Sequence, residues 1–170
     1  KNSSSLSENE KEGLLGQGYA LRAFYYFQLA MEFQHTFAYD TSLAAPPIYE
    51  EPALEGKPMS TIGALYEFIL SDLYTAVQTT PATRQNKSYV NRNVAHAMLA
   101  RVHQVMGNWQ EAANAATIAR KGYSLNASEY AQGFDDMNAS EWIWALPQRS
   151  DQTNYFFIAP HAFTDNESDG

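Results

Sequence analysis

The sequence contains no cysteine. That excludes disulfides, thiol nucleophiles and Cys-ligated zinc, and it leaves the compartment open. Cationic residues are few: 11 Lys and Arg stand against 19 Asp and Glu, for a net charge of −8. No basic run appears, which argues against a nucleic-acid partner, because neutralising a phosphate backbone needs clustered Lys and Arg. No apolar run approaches the roughly 20 residues of a membrane-spanning helix. The first residues, KNSSSLSENEKEG, hold neither a charged n-region nor an apolar h-region, so any signal peptide is expected outside this sequence. No glycine-rich phosphate loop follows a strand pattern. What is present is a 170-residue chain, 45% hydrophobic, enough for one core and about one domain. Aromatic residues reach 14%, with 11 Tyr, which suits either a Tyr-rich core or flat faces stacked on a ligand.

The most patterned stretch is Val94–Gly122, VAHAMLARVHQVMGNWQEAANAATIARKG. It reads as two short amphipathic helices meeting at Gly107-Asn108. Small residues recur where helices must touch: Ala97, Ala100, Ala112, Ala116 and Ala119. Leu99, Val102, Val105, Met106 and Ile118 are expected to fill the other inward positions. Gly107 suits the left-handed residue after a last helical turn. Leu99, Ala100, Gly107, Ala112 and Ala119 fall on positions of the 34-residue tetratricopeptide helix–turn–helix repeat. His103, Ala116 and Ser124 depart from it.

Upstream, Ser7 and Glu10 fit a capping box. A helix over 8–34 follows, with an expected buried stripe of Leu15, Tyr19, Ala23, Tyr26, Ala30 and Phe33. Phe24, Tyr25 and Phe27 predict a second half buried nearly all round. Gly13, Gly16 and Gly18 predict a kink or a close backbone approach. His35–Pro58 is a long, Pro-rich connection, and connections of that length are often functional. A second helix over 60–79, capped by Ser60 or Thr61, carries the stripe Ile62, Leu65, Tyr66, Ile69, Leu73 and Ala76. The hairpin helices are expected at 92–106 and 109–121. Leu125–Gly133 reads as an irregular connection with one turn of helix, and Trp142, Trp144 and Leu146 alternate as in a short strand or an extended segment. The expected organisation is therefore all-α: a first hairpin over 7–79 with an insert at 35–58, a second over 92–122, and an irregular segment over 123–170. Arg22 and Asp72 flank buried stripes and are expected to pair, since a buried Arg needs a carboxylate.

Four segments in order resemble the SusD/RagB family, the glycan-binding outer-membrane lipoproteins of Bacteroidetes. They are Gly16–Phe33, with Leu21-Arg22-Ala23 and Tyr26-Phe27; Thr61–Ala76, with Tyr66, Ile69, Asp72, Leu73 and Ala76; Val94–Gly122; and Phe134–Trp144, with Ser140 and Glu141. Gln17, Gly18 and Ala20 depart from the family pattern. The resemblance covers most of residues 16–146 and implies a SusD-like α-α superhelix of tetratricopeptide-like hairpins with long loops. It implies a fragment of a larger surface lipoprotein that is not an enzyme and needs no cofactor. An oligosaccharide ligand and a SusC-like TonB-dependent outer-membrane transporter would be its partners. The alternative is a helical-repeat adaptor binding a protein on a concave face.

The resemblance transfers no ligand position, so candidates come from side-chain chemistry. A sugar site needs an aromatic face beside a carboxylate or amide. Tyr39, Asp40 and Tyr49 in the insert supply both, and Tyr155 and Phe156 form a second aromatic island. His96 and His103 lie seven apart without the intervening Glu of a zinc hydrolase, and read as core histidines. The adjacent pairs Glu50-Glu51 and Asp135-Asp136 do not suit paired acid–base work. Asp165, Glu167 and Asp169 resemble the start of a calcium loop, but Glu stands where Asp or Asn is usual and no closing Glu follows, so no metal is assigned. Sequons at Asn2, Asn86, Asn126, Asn138 and Asn166 fit an Asn/Ser-rich surface.

Overall fold

A computed structural model describes residues 5–131 and 136–147. Tyr155, Phe156, Asp165, Glu167 and Asp169 lie outside the described residues. The first helix, α1, spans Glu8–Phe33. Its start is the expected capping box: Ser7 Oγ accepts from the Glu10 backbone N–H at 3.4 Å, and the Glu10 carboxylate accepts from the Ser7 N–H at 2.8 Å. The buried side of α1 is Gly13, Gly16, Ala20, Ala23, Phe27 and Ala30, so Ala23 and Ala30 of the expected stripe are buried, Tyr19 and Tyr26 are half-buried, and small residues replace its ends. The reason is proximity. A Cβ on Gly16 would sit 2.9 Å from the Thr80 backbone nitrogen, so the end of the next helix occupies the space that a larger residue would need. Of the two roles open to these glycines, Gly16 serves close approach. Leu15 and Phe33 are exposed instead, and the second half of α1 is not buried all round: Tyr25, Leu29 and Met31 face outward.

The insert after α1 returns through a two-residue antiparallel ladder, β1 (Ala44–Ala45) with β2 (Ser60–Thr61), in the register Ala44–Thr61 and Ala45–Ser60. Helix α2, Ile62–Thr79, follows at once, and Thr61 is its cap, with Oγ1 accepting from the Ala64 N–H at 3.2 Å. Every residue of the expected α2 stripe is buried. This face packs on α1 and on the third helix and forms the centre of the core.

Arg22 and Asp72 pair as expected. Arg22 Nε and Nη2 donate to the two carboxylate oxygens at 2.7 and 2.8 Å, a bidentate bridge between α1 and α2.

Helices α3 (Arg92–Met106) and α4 (Trp109–Ala119) form the second hairpin. Asn91 caps α3 by accepting from the Val94 N–H, and Gly107 closes it at φ 80°. Ala95, Ala115 and Ala119 are the buried small residues, while Ala97, Ala100 and Ala112 are half-buried. Ala116 and Ile118, expected inward, are exposed, because α4 is covered on only one side among the described residues. Asn93 on α3 ties down the end of α4: its side-chain amide donates to the Ala119 carbonyl at 2.9 Å and to the Lys121 carbonyl at 3.1 Å.

A single helical turn, α5 (Ala127–Tyr130), follows. The segment 142–146 is not a strand. It is held instead by single bonds to the loop after α2: Trp144 Nε1 donates to the Ser88 carbonyl at 3.0 Å, and the Ala145 N–H to the Lys87 carbonyl at 3.2 Å. Arg84 braces the same junction, donating to the Tyr89 carbonyl, the Tyr123 hydroxyl and the Ile143 carbonyl. No helix among the described residues is long and apolar enough to cross a membrane.

Candidate functional site

The insert lies along the outer side of α1, and the seam between them carries most of the aromatic candidates. Tyr26 on α1 anchors it. Its hydroxyl accepts from the Tyr49 backbone N–H at 2.7 Å and donates to the Pro47 carbonyl at 3.3 Å. Arg22 Nη1 adds a bond to the Glu50 carbonyl at 2.9 Å. The Tyr49 hydroxyl accepts from the Lys57 backbone N–H at 2.9 Å, and the Lys57 ammonium lies 5.5 Å from the centre of the Tyr49 ring. The Tyr49 side chain is therefore held in place, half-buried, before any ligand arrives.

The result is a groove of about 440 Å³ lined by Arg22, Tyr25, Tyr26, Leu29, Pro46, Pro47 and Tyr49. A second groove begins on the other side of Arg22, lined by Leu15, Tyr19, Glu50, Glu51 and Pro52 among others. The two share the guanidinium, whose carbon lies 5.3 Å from the centre of the Tyr19 ring and 4.8 Å from that of Phe68.

Tyr39 and Asp40 are not part of either groove. Tyr39 is 70% exposed and rests on His35, with ring centres 4.7 Å apart and planes 29° from parallel. Asp40 Oδ1 accepts from the backbone N–H and the hydroxyl of Ser42, at 2.8 and 2.7 Å. These bonds, the hydroxyl's first, hold the carboxyl below its ordinary range, so it stays ionised. The insert thus divides the sequence candidates: Tyr39 and Asp40 at its start, Tyr49 in the seam. Tyr25 is not among them, because a helical Tyr off the apolar stripe carries no loop signal. The signal that finds it is its place one turn before Leu29 on the helix facing a Pro-Pro-x-Tyr loop.

Another cavity, of about 400 Å³, lies between α1, α3 and residues 141–144, walled by Phe24, Phe27, Met98 and Trp144. The Glu141 carboxylate oxygens are buried there without a hydrogen-bond partner. A polyhydroxylated ligand in so apolar a space would leave most of its hydroxyls unpaired, which is costly, so the seam is the better sugar site. The two α3 histidines belong to the helical packing. His96 is half-buried, and His103 is buried, bonded to the Tyr74 hydroxyl at 3.0 Å and to Asn108 at 3.3 Å. No group of three metal-ligating side chains occurs among the described residues.

Comparison with known proteins bears on this arrangement. The family model described as "Starch-binding associating with outer membrane", of the SusD-like group, matches residues 2–103. No curated protein gives a significant match. Among solved structures, a SusD-like carbohydrate binding protein from Bacteroides vulgatus is 29% identical, with a TM-score of 0.79 over 89% of this chain and 34% of its own. A SusD superfamily protein from Bacteroides thetaiotaomicron is 27% identical, with a TM-score of 0.77 over 89% of this chain and 35% of its own. The chain spans about a third of the length of these structures. With the family model matching residues 2–103, more than half of its length, the chain belongs to the SusD-like family.

Proposed function

We propose that this chain is the helical-scaffold part of a binder that holds oligosaccharides at the bacterial outer surface. The observation that carries the reading is the seam: a groove of Tyr25, Tyr26, Tyr49, Pro46 and Pro47 whose insert wall is pinned by hydrogen bonds to α1. Pinning lowers the ordering cost of binding, and aromatic faces, with Glu50 and Glu51 in the adjoining groove, match the C–H faces and hydroxyls of a sugar. Tyr39 and Asp40 add an exposed ring and an ionised acceptor at the start of the same insert. Tyr155 and Phe156, outside the described residues, are proposed for the same role. No residue here is assigned a catalytic role; binding and delivery are the function. Delivery implies a SusC-like TonB-dependent transporter below and a lipid anchor that places the protein at the outer membrane.

A glycan array on the full-length protein tests the binding. Tyr39→Ala and Tyr25→Ala are each expected to weaken the glycan that binds by about tenfold, the worth of one stacked ring, with unchanged melting. Tyr49→Phe, which keeps the ring, is expected to bind better than Tyr49→Ala. Full binding by a Tyr25→Ala/Tyr39→Ala double variant would refute the assignment. The transporter partnership has its own test. The gene is expected to encode a signal peptide with a lipobox cysteine and to lie beside a TonB-dependent transporter gene. A cytoplasmic start with no such neighbour would favour the helical-repeat adaptor.

A further inference from the structure

We infer that the seam selects uncharged oligosaccharides and turns away anionic ones such as uronates and sulfated glycans; this rests on the glycan-binding reading above. The ground is charge. Two cations border the seam, and both are committed. Arg22 spends Nε and Nη2 on Asp72 and Nη1 on the Glu50 carbonyl, while Tyr19 and Phe68 lie against its guanidinium. The Lys57 ammonium donates to the Ile48 carbonyl at 3.1 Å and sits against the Tyr49 ring.

The carboxylates of Glu50, Glu51 and Glu55 are not committed in this way. The insert holds Asp40, Glu50, Glu51 and Glu55 against the single cation Lys57. Glu50 and Glu51 line the second groove beside Tyr19, and all four acids are exposed. Among the described residues, the carboxylates of Glu50, Glu51 and Glu55 make no ion pair and no hydrogen bond. Since Asp72 balances Arg22, Glu50 and Glu51 leave the groove beside Tyr19 net negative where it meets the first groove at Arg22. A neutral sugar meets that field with hydroxyl donors, laying its C–H face on Tyr25, Tyr49 and the prolines. Among the described residues a sulfate or uronate finds no unengaged cation there and is repelled by Glu50 and Glu51. Two like charges at several ångströms in a water-like dielectric weaken a like-charged ligand by about tenfold together.

The test pairs each neutral polysaccharide with its own sulfated derivative, for example laminarin with laminarin sulfate and dextran with dextran sulfate. The full chain is titrated by calorimetry. The neutral partner of any binding pair is expected to bind about tenfold tighter at low salt, with the gap closing at about 0.5 M salt, where the screening length is a few ångströms. A gap caused by the bulk of the sulfate would not close. Glu50→Gln/Glu51→Gln, which removes the charges and keeps an acceptor oxygen at each position, is expected to narrow the gap at low salt by strengthening the binding of the sulfated partner. Equal or tighter binding of the sulfated partner overturns the inference and leaves the glycan reading standing. An unchanged gap in the double Gln variant overturns it too, by putting the discrimination elsewhere. Binding of neither class by a protein that melts cooperatively removes the glycan reading and the inference with it.

Discussion

The Arg22–Asp72 bridge joins the two helices on which the seam depends. Asp72 is almost fully buried, with its side chain 5% exposed against 27% for Arg22. Removing one partner leaves a charge without its match, so Asp72→Ala is expected to lower stability by about 3 kcal/mol in urea unfolding. Replacing both, as in Arg22→Met/Asp72→Leu, is expected to cost less than Asp72→Ala alone, because no orphan charge remains. Two glycines of α1 make a second pair of opposites. A Cβ added at Gly18 would meet nothing within 4 Å, so Gly18→Ala is expected to add about 0.5–1 kcal/mol through helix propensity. Gly16→Ala meets the Thr80 backbone and is expected to destabilise by about 1–3 kcal/mol despite the same propensity gain. Urea midpoints moving in the same direction would contradict the close approach. Histidines give a pH signature. Burial lowers both pKa values below 6.5, with Arg92 adding to the effect at His96 and Glu111 opposing it at His103. Protonation therefore favours the unfolded chain. The stability from keeping both rings neutral is complete above pH 6.5 and is lost as pH falls through the lower folded values. Melting temperature is expected to drop on acidification from that point, and His96→Gln/His103→Gln is expected to flatten the drop.

At the scale of elements, packing decides which helices reveal themselves in a sequence. Helix α2 is legible because its inward residues are large: Ile62, Leu65, Tyr66, Ile69, Leu73 and Ala76 leave no competing stripe. Helix α1 misleads because its inward residues are small. The Leu15–Phe33 stripe has more apolar area, but only Gly16, Ala20 and Ala23 let α2 come close enough. Alternation misleads at 142–146, where Trp144 is held by its indole N–H and by an edge contact with Phe24, not by a strand partner. The site is half legible. Residue type picks out Tyr39, Asp40 and Tyr49 in the insert, but Tyr25 joins the groove through helix position, which becomes visible only once the insert is laid along α1. In the second hairpin, depth sets tolerance to added volume. Ala95 is fully buried and Ala100 only half so. Ala95→Leu is expected to cost about 1–3 kcal/mol and Ala100→Leu measurably less, as read from denaturant midpoints. Equal costs would mean that both faces are equally crowded.

For the molecule as a whole, the outer side of α1 presents Leu14, Leu15, Tyr25, Leu29 and Phe33, with Phe33 70% exposed. An apolar surface of that extent promotes association. The 170-residue chain is expected to self-associate with rising concentration in light scattering, and Leu15→Ser/Phe33→Ser to reduce this without lowering the melting temperature. Unchanged scattering would show that the face is not what brings copies together. The β1–β2 ladder has a further consequence. Ala45 and Ser60 are paired, so everything from Pro46 to Met59 enters and leaves the scaffold at one point. Closing a loop costs little more as it lengthens, and no fully buried core side chain is drawn from this span. Such a stretch behaves as a cassette: its wording can be rewritten wholesale while the helices beneath keep their shape, so one scaffold can be given many tastes.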